Sequence, residues 1–338
     1  MKHTLFSLGR AGARCARDMI HLRGSLGGLS GAVYARAVLG ALRPHFFALP
    51  AGAAFAGASA PERVESGARV ALAAAAAALG WGVGQLLNDL FDVGADAIDA
   101  PQRPAVRGLL PEGPTVLVAL GLGLLVTAAT IAVHPRAFLL ALGATVLLLS
   151  YDALKPYPLL GNLAHGALIA LASLIGAAAA TPDRTLPSVV AGAWSAAALS
   201  GAWAAVYLEA NYEKDRLGDA RAGKLTLPRL IGLRASAALR ALVALGLSLA
   251  AWHTGLCREP TGAVFLGIAL LLLLISVTSV FLRPTEGAAL KSYRFAVHAA
   301  AIGMLALGSR ALGPSLTVLA VAASIALSER AFARAPNP

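Results

Sequence analysis

Apolar stretches recur along the chain near 38–58, 68–90, 114–133, 136–152, 160–180, 187–209, 234–252, 262–282, 294–311 and 314–331. Roughly 17–25 apolar residues suffice for a helix to cross a ~30 Å hydrocarbon layer. Proline, glycine and charge clusters separate them: Pro61–Arg63, Pro101–Pro114, His134–Pro135, Lys155–Pro158, Pro182–Pro187, Asp215–Pro228, Arg258–Pro260 and Arg283–Pro284. A spanning segment must satisfy its own backbone, and runs of Ala and Leu do so as helix rather than barrel. The pattern therefore predicts an all-α polytopic membrane protein. It has nine to ten transmembrane helices, the last two meeting at Gly313–Pro314. Small residues at 71–78 and 177–180 allow close helix approach.

Composition narrows the class. Hydrophobic residues make up 58% of the 338-residue chain and charged residues 13%, against about 25% charged in a soluble domain. A water-soluble globule and a disordered chain are both excluded. The net charge of +11 does not indicate nucleic acid, because the basic residues punctuate apolar runs instead of forming a polar face. Residues 1–30 carry Lys2, Arg10, Arg14, Arg17 and Arg23 without the apolar core of a signal peptide. They read as a basic cytoplasmic tail ahead of a membrane domain over 31–332. With the N-terminus inside and ten alternating spans, inner segments hold 20 Lys and Arg and outer segments 6. That positive-inside bias makes membrane lipid the setting, read as a bacterial inner membrane with the acidic segments below facing the cytoplasm. Cys15 and Cys257 lack metal-ligand or disulfide spacing.

Against this background the acids are informative. Eight of 17 fall in two windows: Asp89, Asp92, Asp96 and Asp99 after the second span, then Glu209, Glu213, Asp215 and Asp219 after the sixth. On a continuing helix Asp89, Asp92 and Asp96 lie within about 60° of one another, and Asp215 and Asp219 share a face. Clustered carboxylates repel unless a cation is present. Their hard oxygens suit Mg²⁺, which takes one or two carboxylates plus substrate phosphates and water. Asn88 adds an amide ligand. Tyr151 and Lys155 share a face after the fourth span, where Lys155 can meet phosphate as a point charge; Arg103 and Arg107 are further phosphate contacts. The even spacing of the windows suggests duplication of a four-helix unit.

Residues 88–108, NDLFDVGADAIDAPQRPAVRG, resemble the first signature of the UbiA superfamily of intramembrane prenyltransferases. Residues 211–232, NYEKDRLGDARAGKLTLPRLIG, are similar to its Asp-x-x-x-Asp signature, YDALKPYPLLGN from Tyr151 to its intervening Tyr/Lys segment, and Arg43–Pro44 also fits. The resemblance implies a helical bundle around a central cavity and Mg²⁺-dependent transfer of an isoprenoid chain from a prenyl diphosphate to a lipophilic acceptor. That acceptor is an aromatic or quinone precursor, with a tetrapyrrole or a glycerophosphate as alternatives. Carried over, Asn88, Asp89, Asp92 and Asp96 bind Mg²⁺ on one side of the diphosphate, and Asp215 and Asp219 on the other. Asp92, Asp215, Lys155 and Tyr151 are the catalytic candidates, while Asn88, Arg103, Lys155 and Arg107 contact the diphosphate. Tyr212 departs from the family at a position where many relatives carry an acid. Two other readings stay open: a transporter, which places its acids near the midplane of broken helices, and a non-catalytic prenyl-lipid-binding protein, which needs no complete acidic set.

Overall fold

The structure, a computed structural model, describes residues 29–62, 64–221 and 223–334. The basic tail expected over 1–30, but for its last two residues, lies outside the described residues, as does Cys15. Among the described residues every regular element is helical: α1 (Gly31–Ala41), α2 (Ala48–Ala58), α3 (Gly67–Phe91), α4 (Val93–Asp99), α5 (Glu112–Val133), α6 (Phe138–Leu154), α7 (Leu160–Ala180), α8 (Leu186–Lys214), α9 (Arg216–Arg221), α10 (Leu227–Ile231), α11 (Leu233–His253), α12 (Pro260–Leu282), α13 (Glu286–Leu307), α14 (Ser309–Leu312) and α15 (Pro314–Arg334). Among the described residues seven are long and apolar enough to cross a membrane: α3, α5, α7, α8, α11, α12 and α15. With the shorter apolar α2 and α6 and the 22-residue α13, they fit the expected nine to ten spans.

Two expected spans differ from the helices found. The stretch 38–58 is two helices, because Pro44 has no N–H to give and disfavours helix at the residue before it. Arg43 accordingly takes a left-handed φ of 50°. The ninth span begins earlier than hydropathy indicates: Thr285 caps α13 by accepting from the Ala288 N–H at 3.2 Å. The helix thus carries Lys291, which the sequence reading places before the span, as well as Arg294, which it places at the span's first residue.

The chain forms two compact units, one up to Pro44 together with Leu79–Val126 and the other of His45–Ala78 with Thr127 onward. In the larger unit, α7 packs against α2, α6 and α8, while α13 packs against α2, α8, α12 and α15. Lipid is as apolar as a helix surface, so close fit, not water exclusion, holds such helices together. A Cβ on Gly166 would come 2.7 Å from the Gly201 carbonyl oxygen, and one on Gly201 would come 2.6 Å from that of Gly166. Gly57 and Gly176 play the same part between α2 and α7, against the backbones of Ser173 and Ala54. Around that contact Ala177–Ala180, Ala58, Val70, Ala73, Val133 and Val189 form an apolar core.

The exterior is also apolar. Leu124, Leu242, Leu249, Leu282 and Leu319 are each more than 60% exposed, which lipid accommodates and water does not. Polar side chains within the spans turn to the carbonyl one turn back: Thr145 to Ala141, Ser150 to Val146, Ser248 to Ala244 and Ser279 to Ile275, at 2.8–2.9 Å. Cys257, between α11 and α12, is fully buried, which pushes its thiol up to about 12.

Candidate active site

In the smaller unit the first acidic window begins in the last turn of α3. Asp92 interrupts the helix with φ −91° and ψ 8°, and α4 resumes it. Backbone bonds nevertheless run through, from Asp92 N–H to Asn88 O at 2.9 Å and from Asp96 N–H to Asp92 O at 2.8 Å. Asn88 Nδ2 donates to Asp92 Oδ2 at 3.1 Å. Asp89 and Asp96 are buried, at 1% and 6% exposure, and both meet guanidinium groups. Arg43 pairs with Asp89, and Arg103 pairs with Asp96 while standing 3.6 Å from Asp89 Oδ1. The left-handed turn at Arg43 thus sends its side chain to a buried acid. Burial raises the Asp96 carboxyl above the ordinary range, and Arg103 pulls it partly back. Arg107 is exposed, and its backbone N–H donates to Arg103 O at 3.1 Å; the Asp99 side chain lies outside the described residues.

The second window, in the larger unit, repeats this backbone. Asp215 interrupts α8 with φ −92° and ψ 10°, and α9 follows. Asp215 N–H donates to Asn211 O at 3.0 Å and Asp219 N–H to Asp215 O at 2.9 Å. Asn211 Nδ2 donates to Asp215 Oδ2 at 3.1 Å. Both windows are therefore one motif, Asn-x-x-x-Asp-x-x-x-Asp. Sequence reasoning missed Asn211, although aligning Asp215 with Asp92 places it opposite Asn88.

Here the counter-charges are amines. Lys214 pairs with Asp215 and lies 4.9 Å from the centroid of the Tyr293 ring. Lys224 Nζ is 3.8 Å from Asp219 Oδ1. The Tyr293 hydroxyl meets that of Tyr207 at 3.0 Å, and Phe46 and His165 flank Tyr207 with centroids at 6.1 and 6.4 Å. This aromatic wall begins one side chain from Asp215. The Tyr151/Lys155 segment joins the same unit: Leu225 N–H donates to Pro156 O at 2.8 Å. Tyr212 is buried, its hydroxyl lying against Gly161, where a Cβ would also approach the Lys155 Cα to 3.3 Å. Tyr151 neighbours the same phenol. A cavity of about 540 Å³ opens at the other end of α8, lined by Glu62, Glu65, Arg184 and Ser188 among others. None of the expected site residues line it.

Among the described residues no three His, Cys, Asp or Glu side chains converge into a ready-made metal cage. Mg²⁺ does not require one, since it retains waters and draws ligands from bound phosphates. Each motif offers one half-exposed carboxylate, Asp92 and Asp215, with a second carboxylate four residues on and an amide fixing the first. That hard-oxygen donor set fits a Mg²⁺–phosphate complex.

Residues 46–299 match the model of the UbiA prenyltransferase family. Three archaeal digeranylgeranylglyceryl phosphate synthases are similar in sequence. The Thermococcus sibiricus protein is 35% identical over 28% of this chain and 35% of its own length, and that of Pyrococcus abyssi 30% over 48% and 57%. The Methanothrix thermoacetophila protein is 31% identical over 58% and 70%. The match thus spans about a third to somewhat over half of the first two relatives. Among solved structures, a UbiA homologue from Aeropyrum pernix K1 in the apo state superposes with a TM-score of 0.67, 20% identity and coverage of 79% of this chain and 96% of that one. A homologue from Archaeoglobus fulgidus bound to DMAPP and Mg²⁺ gives 0.59, 17%, 88% and 99%.

Proposed function

The chain belongs to the UbiA prenyltransferase family, and from that premise we propose that it transfers an isoprenoid chain from a prenyl diphosphate to the hydroxyl of a glycerophosphate. The observation that carries this reading is the doubled Asn-x-x-x-Asp-x-x-x-Asp motif, with a half-exposed aspartate held by an asparagine amide in each copy. The relatives' names favour the glycerophosphate over the quinone precursor. The positive-inside count supports motifs that face the cytoplasm of a plasma membrane.

In the reaction the acceptor oxygen bonds to the allylic carbon as the C–O bond to diphosphate breaks. The electron pair leaves with the diphosphate, and the hydroxyl proton passes to solvent. Asp92 and Asp96 in the first motif, and Asp215 and Asp219 in the second, are the carboxylates that would hold Mg²⁺, which would supply charge neutralisation for the leaving group. Arg103 and, from the surface, Arg107 in the smaller unit, and Lys155 in the larger, would be the fixed cations for diphosphate oxygens. Asp89 holds Arg43 and Arg103 in place, and Asn88 and Asn211 orient the half-exposed carboxylates of Asp92 and Asp215. Tyr151 and the Tyr207–Tyr293 wall offer ring faces to the developing allyl cation. The apolar surroundings keep water from quenching that cation.

The test is a panel. The chain in nanodiscs receives labelled prenyl diphosphates of several lengths with glycerophosphates, quinone precursors or tetrapyrroles. The expected result is diphosphate release only with Mg²⁺ and a glycerophosphate. Turnover with a quinone precursor alone overturns the acceptor, and no release across the panel overturns the activity.

A further inference from the structure

Within the two turns before Asp215, five helices of the larger unit converge on a buried polar network that the chemistry above does not use. Glu213 on α8 and Arg240 on α11 form an ion pair with both side chains 0% exposed. Arg240 Nη2 donates to Glu213 Oε2 at 2.8 Å and its Nε to Oε1 at 3.3 Å, a two-point grip that fixes Glu213 as a carboxylate. Its other donors reach Ser276 on α12 at 2.8 Å and Ser292 on α13 at 3.2 Å. On the opposite side, Ser236 Oγ lies 2.9 Å from Glu213 Oε1 and 2.7 Å from Glu209 Oε1. Asn162 on α7 donates to the remaining Glu209 oxygen at 3.1 Å.

A serine hydroxyl has one proton to give. It can make one full-strength donation, so with Glu213 gripped by Arg240 as acceptor, a proton on Glu209 is what turns the 2.7 Å contact into a second full hydrogen bond. Charge requires the same assignment: two ionised glutamates against one guanidinium leave an uncompensated negative charge where water does not reach. The charged and titratable groups acting on Glu209 are Glu213, Arg240 and the Tyr212 phenol, and they supply no second cation. His165 on α7 and Tyr293 on α13 face Tyr207 instead.

We propose that Glu209 is held as an uncharged carboxylic acid that donates to Ser236, which donates to Glu213. The resulting neutral chain fixes the last turns of α8, making Glu209, Ser236 and Arg240 positioning residues for Asp215. The positioning half rests on the role given to Asp215 above; the protonation half does not.

Infrared spectroscopy of the full chain in nanodiscs tests the protonation without any assay of turnover. Wild type minus Glu209→Gln at neutral pH is expected to show a protonated-carboxyl C=O band that shifts in D₂O. Glutamine reproduces the neutral acid, its NH₂ donating to Ser236 and its carbonyl accepting from Asn162. Glu209→Gln therefore keeps the melting temperature within a few degrees and prenyl transfer within about twofold. Glu213→Gln takes from Arg240 its two-point carboxylate partner and lowers the melting temperature by on the order of 10 °C, with transfer falling at least tenfold. Absence of the band overturns the protonation. Equal losses in the two variants, or wild-type transfer in folded Glu213→Gln, overturn the positioning role.

Discussion

Asn88, Asp92 and Asp96 are built like Asn211, Asp215 and Asp219, down to the backbone angles at the middle aspartate, yet the charges around them are balanced differently. The first motif has an acid at its second position, Asp89, and meets it with the planar forks of Arg43 and Arg103. One Arg103 guanidinium serves both Asp89 and Asp96, which a point charge does less well. The second motif has Tyr212 in that place and uses two lysines, each beside one aspartate. Its glutamates, Glu209 two residues before the repeat and Glu213 at its third position, are held by Ser236 and Arg240. What the two copies keep is the amide-held, half-exposed aspartate; what they vary is the scaffold. Under the proposed reaction, the feature constant across different scaffolds is the one expected to carry the chemistry.

The most severe way to break the comparison is to remove that constant feature. Asp92→Ala and Asp215→Ala are each expected to reduce Mg²⁺-dependent diphosphate release by on the order of 10³-fold, the scale of losing a major electrostatic contact in a transition state. If either variant keeps wild-type rates, the motifs are not equivalent and the assignment of that copy is wrong.

Next comes the difference in scaffold. Arg43→Met leaves Asp89 buried with Arg103 at 3.6 Å as its remaining guanidinium, and removal of one partner of a buried pair costs about 3–5 kcal/mol. Thermal unfolding should register this as a large drop. Stability equal to wild type would mean that Arg103 alone balances the first motif, much as one lysine stands beside each aspartate in the second.

The repeat also marks how far the sequence was readable. Span positions were legible because the bilayer sets the length of every apolar run. The break at Pro44 followed local backbone rules that hydropathy averages away. Aspartates and their spacing were legible because acids are scarce in a lipid-facing chain. Arg240 was not: it is one of the 20 Lys and Arg counted on the inner side, yet it is fully buried, since a charge in a span carries no local mark of its partner. Asn211 was hidden for a different reason, because asparagine attracts notice only when its copy is aligned beside it.

A finer test addresses the amides. Asn88→Ala and Asn211→Ala each remove one hydrogen bond to a carboxylate, worth about 1.5–3 kcal/mol. Rates at saturating Mg²⁺ should change little, while the Mg²⁺ concentration for half-maximal rate rises about tenfold or more in both. A large shift in one and none in the other would show that only one copy relies on its amide to aim the aspartate.

The smallest effect is expected at the position where the copies differ in kind. In the first motif, Asp89→Asn keeps shape but leaves Arg43 and Arg103 facing a neutral group, so its cost lies in the unbalanced guanidinium charge. In the second, Tyr212→Phe removes only a hydroxyl from a neutral side chain packed against Gly161 and the Lys155 backbone. The lost phenol contact is worth about 1 kcal/mol or less, and the ring, which fills the space, remains. Near-wild-type stability and activity in Tyr212→Phe, beside a clear loss in Asp89→Asn, is the outcome expected if position two is a charge-balancing site in one copy and a packing site in the other. A strong loss of turnover in a stable Tyr212→Phe would instead assign the phenol a direct role beside Tyr151 and Lys155, and the second motif would then contain a reactive group that the first lacks.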